Sequence, residues 1–240
     1  MAVLHGKNTK VWFNAYDVGP YLSSIGFAGS RDTADVTNFA SGGNKEAIAG
    51  TRSSTISAAG FHDADLTAID DAMDSGSGVL TWSPGAGSAI GDRAYLASII
   101  GTSLQRSSPL GGAVAIAWDT MAADVTGLGW ILHPKGEDTN TTTGATKDDT
   151  AATTTGWQSH LHVFAVDAGS WVVTLEDSAN GSAWAAVTGG AFASLSAAGS
   201  ERLLSASGAT LRRYLRYLAT RTGGSSGDGI TFALAYARNA

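Results

Sequence analysis

Apolar side chains in this chain alternate with polar or small ones far more often than they recur at helical spacing. From Thr9 to Tyr16, Val11, Phe13 and Ala15 fall on one side and Trp12, Asn14 and Tyr16 on the other, which predicts a strand. Gly19-Pro20 turns the chain, and Tyr21 to Ala28 predicts a second strand with Leu22 and Ile25 toward a core. Gly29 to Gly50 is polar and broken by glycine, with Ser41-Gly42-Gly43-Asn44-Lys45 at its tip, so it reads as a long hairpin loop or an arm. Alternation resumes from Thr51 to Phe61, where Thr55, Ser57 and Ala59 interleave with Ile56, Ala58 and Gly60. Asp63-Ala64-Asp65 then precedes Leu66, Ile69, Ala72 and Met73, the spacing of one short amphipathic helix with acids at its start. Further strands are expected over 79–82, 94–104, 112–121 and 128–133, separated by Ser83-Pro84-Gly85, Ser107-Ser108-Pro109 and Asp124 to Gly127.

The pattern stops at residues 136–156, where nothing larger than alanine is apolar, so this stretch is expected to be a linker or exposed loop. Strand signals then return every 8 to 12 residues, as in a sandwich, through SHLHVFAV, SWVVTLED, AWAAV, AFASL, ERLLSA, TLRRYLRYLA and ITFALAYAR. Leu211, Leu215 and Leu218 also fit a helix, but Tyr214, Tyr217 and the glycine-rich exit favour a strand. The expected division is therefore a first β unit over 1–135, a linker over 136–156 and a second β-sandwich over 157–240.

Composition narrows the class. Of 240 residues, 43% are hydrophobic and 15% charged; Ala, Gly, Ser and Thr make up about half, and there is no cysteine. That is too apolar, with a net charge of -6 too small, for a disordered chain, and no apolar run reaches membrane-spanning length. A soluble fold is expected, without disulfides, thiolate metal ligands or a thiol nucleophile, and MAVLHGKNTKVW lacks the apolar core of a targeting signal. Residues 1–135 hold 8 Lys/Arg against 12 Asp/Glu, and no basic stripe suits tight nucleic-acid binding.

Candidate chemistry is sparse. His160 and His162 stand two apart on a strand and so face one side, the geometry of a metal pair, but no third ligand is evident and barrel-wall or surface decoration is the preferred reading. His62-Asp63-Ala64-Asp65 lacks the regular oxygen ligands of a calcium loop and reads as a helix start. Asp70-Asp71 and Asp148-Asp149 are adjacent, whereas general acid and base groups must oppose each other across a bond. Gly85-Ala86-Gly87 lacks the third glycine and the lysine of a phosphate loop, and no Gly-x-Ser-x-Gly elbow occurs. Arg212, Arg213 and Arg216 beside Tyr214 and Tyr217 are the one basic, aromatic cluster, which could contact phosphate or sugar but is read as long side chains that cover apolar surface or pair with a neighbouring subunit's acids. No enzyme and no cofactor is expected.

One resemblance organises these features. The order strand, Gly-Pro turn, strand, polar arm across Asp35-Val36-Thr37-Asn38-Phe39, then TRSSTISAAGFHDA and a short helix resembles the major tail tube proteins of long-tailed bacteriophages. Thr55, Ser57, Gly60, Phe61 and Asp63 match that family's T-x-S-x-x-G-F-x-D segment, and the resemblance as a whole covers about residues 1–134. The second part, with VTLEDSANGSAW and RRYLRY, resembles jelly-roll-like β-sandwich modules appended to phage tail and capsid proteins. The resemblance implies an all-β, tail-tube-type sandwich or barrel with one short helix, carrying a second sandwich outside. It further implies a non-enzymatic virion protein, assembled in the host cytoplasm, whose hexameric rings stack around a channel that viral DNA passes without specific binding. Tape measure and tail terminator proteins would be its other partners, with no membrane involved. The rival classes are a capsid or tail decoration protein and a carbohydrate-binding adsorption module. On these grounds Val36, Phe39, Asn44 and Lys45 are the expected inter-subunit arm, with Phe39 as its large apolar anchor, and Asp32, Asp35 and Asp63 are channel-lining candidates.

Overall fold

The computed structural model describes residues 5–62, 73–74 and 76–239. The expected short helix from Asp63 falls almost wholly outside the described residues, as does Asp63 itself. In chain order the strands are β1 (Lys10–Phe13), β2 (Tyr16–Asp17), β3 (Leu22–Asp35), β4 (Ala47–Phe61), β5 (Ser77–Ser83), β6 (Arg93–Ser107), β7 (Ala115–Ala122), β8 (Gly127–Asp138), β9 (Thr142–Thr143), β10 (Lys147–Asp148), β11 (Trp157–Val166), β12 (Ser170–Ser178), β13 (Ala185–Ala191), β14 (Gly199–Leu204), β15 (Tyr214–Thr222) and β16 (Ile230–Arg238). The protein is all-β, as its alternation predicts, and the AFASL stretch contributes Ala191 to the end of β13 and a bridge between Leu195 and Trp171.

The chain folds as two compact units, one of residues 1–20, 78–98 and 125–240, the other of 21–77 and 99–124. This division differs from the sequence boundaries at 135 and 156, and strand pairing is the reason. β8 runs through Asp138 and pairs antiparallel with β16, from Ile230 opposite Asp138 to Tyr236 opposite Trp130. Residues 136–156, expected as a linker, add β9 and β10 beside β15. Hydrogen bonds and ion pairs hold this stretch where apolar contacts are scarce: the Asp149 side chain is 1% exposed and accepts from Tyr236 Oη, Arg238 Nε at 2.8 Å and Lys147 Nζ at 2.9 Å.

In the first unit β11 and β16 lie at the centre and are buried on both faces. Their odd and even positions serve different cores. Leu161, Val163, Phe232, Leu234 and Tyr236 face the sheet of β12, β13 and β15, where Trp171, Val173, Leu175, Leu215 and Tyr217 complete a sandwich. On the other face of β16, Ala233, Ala235 and Ala237 meet Trp12 of β1, Leu96 of β6 and Ile131 of β8. Small alanines opposite a tryptophan let the sheet curl back upon itself at the density of a protein interior. Gly129 is required in β8, because a Cβ there would overlap the Tyr236 carbonyl.

In the second unit the strands run β3, β4, β7, β6, all antiparallel, with Ile56 opposite Phe27 and Thr120, and Ala58 opposite Ile25 and Trp118. Ile56, Ala58, Ile116 and Trp118 are buried on one face of this sheet. Gly60 belongs to the motif that carries the family resemblance, and a Cβ on it would overlap the Tyr21 carbonyl. Glycine there permits the close approach of β4 to the start of β3.

Candidate self-association surface

β4 pairs with β7 only over Thr55 to Phe61, whereas its pairing with β3 continues to Asp35 opposite Ala47. Beyond Ser54 the hairpin is thus a two-stranded ribbon of exposed residues, and at the rise of a strand it extends for about 25 Å before its tip. Apolar alternation stops at Ala28, so the strand expected there is shorter than β3. The ribbon holds itself by polar contacts instead: Ser30 and Ser53 hydroxyls meet at 2.7 Å, Thr51 Oγ1 donates to Asp32 Oδ2 at 2.8 Å, and Arg31 Nε donates to the Gly50 carbonyl at 3.3 Å.

The tip is a built turn. Asp35 Oδ1 accepts from the Thr37 amide at 2.8 Å, Asn38 Oδ1 accepts from the Ala40 amide at 2.8 Å, and Ser41 Oγ accepts from the Asn38 amide at 3.0 Å. Gly42 and Gly43 take positive φ and bring the chain back to Glu46, whose amide donates to Thr37 Oγ1 at 2.9 Å. With its polar groups engaged, the tip projects Phe39 at 111% relative exposure, while Val36 and Ile48 are also exposed. Asn44 and Lys45 are exposed beside them, so the four residues expected to form an arm are brought together at one tip.

The acids fare differently. Asp32 and Asp35 lie on the ribbon, and both are engaged in local hydrogen bonds. The Thr37 hydroxyl and amide hold the Asp35 carboxyl below its ordinary range. A carboxylate the sequence reading did not single out, Asp119, occupies the open face of the sheet, where Ser103 Oγ donates to it at 3.1 Å. Alternation along β7 is the signal for it, since Ala117, Asp119 and Met121 point opposite to Ile116, Trp118 and Thr120. Around Asp119 the same face carries Gly26, Ser57 and Ala59, with exposed Met121, Ile100 and Phe61. Among the described residues, every exposed large hydrophobic side chain except Val125, Leu128 and Leu204 lies in this second unit.

In the first unit the arginine cluster is satisfied within the chain. Arg213 grips Asp148 through two 2.7 Å bonds, Arg216 pairs with Glu176 at 2.7 Å beneath Trp184, and Arg212 approaches Asp177 at 3.7 Å. The bond from Arg213 pulls the Asp148 carboxyl down to about 2. His160 and His162 are both fully buried, which corrects the expectation of wall or surface decoration. Among the described residues no group of three or more potential metal ligands converges.

No protein-family model and no curated protein matches the chain. Among solved structures it is similar to a chain of the virion of a native gene transfer agent particle, at 18% identity and a TM-score of 0.41, covering 52% of this chain and 98% of that one. It is similar to the SPP1 tail tube at 15% identity and a TM-score of 0.41, over 52% of this chain and 78% of that chain. It is also similar to the SPP1 Dit protein, described as a hub adsorption apparatus of phages infecting Gram-positive hosts, at 12% identity and a TM-score of 0.34, over 95% and 98% of the two chains.

Proposed function

We propose that this protein is a structural component of a virion tail that polymerises with itself into a tube. The observation that carries the reading is the β3–β4 ribbon, whose outer half is paired to nothing else in the chain among the described residues and ends in a fully exposed phenyl ring. A two-stranded ribbon is marginal in water, and a free large apolar side chain at its end gains by burial. Both costs are offset if the arm lies on a neighbouring copy. The open face of the four-stranded sheet, with small side chains and an apolar fringe of Met121, Ile100 and Phe61, suits close approach of a further copy.

In this reading copies close into hexameric rings, and arms reach between stacked rings. The lumen passes viral DNA without binding it, since the acidic balance of residues 1–135 disfavours phosphate. Tape measure and tail terminator proteins are the protein's other partners, and assembly takes place in the host cytoplasm. Deletion of Val36 to Lys45 from the full chain tests the proposal. The deleted protein is expected to fold as a monomer and to form no rings or filaments by electron microscopy at concentrations where the intact chain does. Normal rings from the deleted chain would refute the role given to the arm.

A further inference from the structure

The buried histidines form a chain of hydrogen bonds whose proton positions follow from one fixed acceptor. His162 Nδ1 lies 2.8 Å from the Asn14 carbonyl, which only accepts, so Nδ1 carries the proton. His162 Nε2 is then an acceptor, and the Thr81 hydroxyl 2.8 Å away donates to it. With its hydrogen committed, Thr81 Oγ1 accepts from His160 Nδ1 at 3.1 Å. His160 Nε2 is left as a bare lone pair, buried and without a hydrogen-bond partner. Both rings and Thr81 are 0% exposed.

The groups joined in this way come from separate elements of the first unit. His160 and His162 stand on β11 and Thr81 on β5, while Asn14 forms the β1–β2 turn in a left-handed conformation at φ 49°. Asn14 Oδ1 also accepts from the Val79 amide at 2.9 Å and the Ser200 hydroxyl at 3.2 Å, so the turn is anchored to β5 and β14 through the same residue.

We propose that His160, Thr81 and His162 form an acid-sensitive latch, which holds β1, β2 and β5 against β11 only while both imidazoles are neutral. A second proton on His162 destroys its only acceptor for Thr81 and places a charge in a dry site. A second proton on His160 places a charge in the same dry site, where the Leu80 backbone carbonyl is the one group that favours it and burial outweighs that contact. The charged and titratable surroundings offer no compensation. Arg202 of β14 and the other imidazole both oppose a positive charge on His160. β16 contributes Ala233 and Ala235 to this face, and β1 contributes the ring of Trp12, 6.0 Å from His162. Asp17 of β2 is engaged at 3.0 Å by Lys135, and Glu201 of β14 accepts from the Ala193 amide at 2.7 Å. Burial accordingly pushes His162 down to about 4 and His160 well below the ordinary 6.5.

Above about pH 6.5 both states of the protein carry neutral rings and the latch contributes in full; below it the unfolded chain gains protons that the folded chain refuses. Each histidine then weakens folding tenfold per pH unit, until its own folded value is reached. Between pH 7.5 and 5.0 each ring accounts for a roughly 30-fold change in the unfolding constant.

The test is urea unfolding of the full chain at these two pH values, followed by tryptophan fluorescence, for the wild type and for His160→Leu. The variant is expected to lose about 30-fold of the wild-type pH ratio; an unchanged ratio would overturn the latch. Should His160→Leu not fold, long-range 15N–1H correlation spectra of the wild-type imidazoles decide the matter. Both rings are expected as Nδ1–H tautomers that stay neutral at pH 5.0, and an Nε2–H tautomer or a doubly protonated ring in the folded protein would overturn it.

Discussion

Replacing Asp149 with alanine tests whether residues 136–156 are part of the first unit's core or a strap that the unit tolerates. The carboxylate is 1% exposed and receives Tyr236 Oη at 2.7 Å, Arg238 Nε at 2.8 Å and Lys147 Nζ at 2.9 Å. The Arg238 side chain is only 8% exposed, so Asp149→Ala leaves a buried guanidinium without its counter-charge. Breaking a buried pair by removing one partner typically costs about 3–5 kcal/mol. Arg238 retains the Leu211 carbonyl at 2.7 Å and Thr153 Oγ1 at 3.0 Å, which places the expected loss near the lower end, about 3 kcal/mol. Urea unfolding at neutral pH measures it through the midpoint at constant slope. Trypsin cleavage at Lys147 is expected to be slow in the intact protein, where Asp149 holds its ammonium at 2.9 Å, and to accelerate in the variant as the segment lifts. A loss below about 1 kcal/mol, the range of an exposed pair, would mean that the stretch is the surface loop its composition suggests.

Other outcomes follow from the arm and the sheet. Phe39→Ser should leave monomer stability within about 0.5 kcal/mol, yet raise the concentration at which filaments appear at least about tenfold, because burying a phenyl ring contributes about 1.5–3 kcal/mol; an unmoved threshold in light scattering would discount the ring as an anchor. Gly60→Ala forces a methyl into the Tyr21 carbonyl and should cost about 1–3 kcal/mol, read as a lowered Tm; an unchanged Tm would refute the close approach. Reversal of Asp32, Asp35 or Asp63 to lysine in assembled particles should slow DNA release in at least one case while rings persist, and unchanged release in all three would remove these acids from the channel lining.

The residues that alternation placed correctly share a property: one face of their strand meets a core and the other meets solvent. The paired half of β4 is of this kind, and its interleaving of Ile56 and Ala58 with Thr55 and Ser57 follows period two; β7 obeys the same period, although its expected span of 112–121 assigns no faces and so leaves Asp119 unmarked. β11 violates the premise. Its sequence alternates His160 and His162 with Leu161 and Val163, which reads as a half-exposed strand, yet both faces are covered. What admits the imidazoles is a hydroxyl 79 and 81 residues away and a carbonyl 148 residues away, and no local pattern announces either.

The same reasoning accounts for the ribbon and for residues 136–156. Hydrophobic periodicity detects elements that are held by burial, and both of these are held by polar groups. In the ribbon the partners are cross-strand hydroxyls and carbonyls that replace a core. In 136–156 the partners are Tyr236 and Arg238, about ninety residues downstream on a strand whose own sequence, ITFALAYAR, advertises only its apolar positions. The two cases nevertheless have opposite energetics. Asp149 is desolvated, and its bonds are strong because water is excluded. The ribbon's bonds compete with solvent on both faces, so its hydroxyl ladder fixes register while contributing little stability of its own. An element specified in shape but poor in stabilising contacts is complete only against another surface. That asymmetry, more than the exposure of any one residue, is why the arm rather than the 136–156 segment is assigned to assembly.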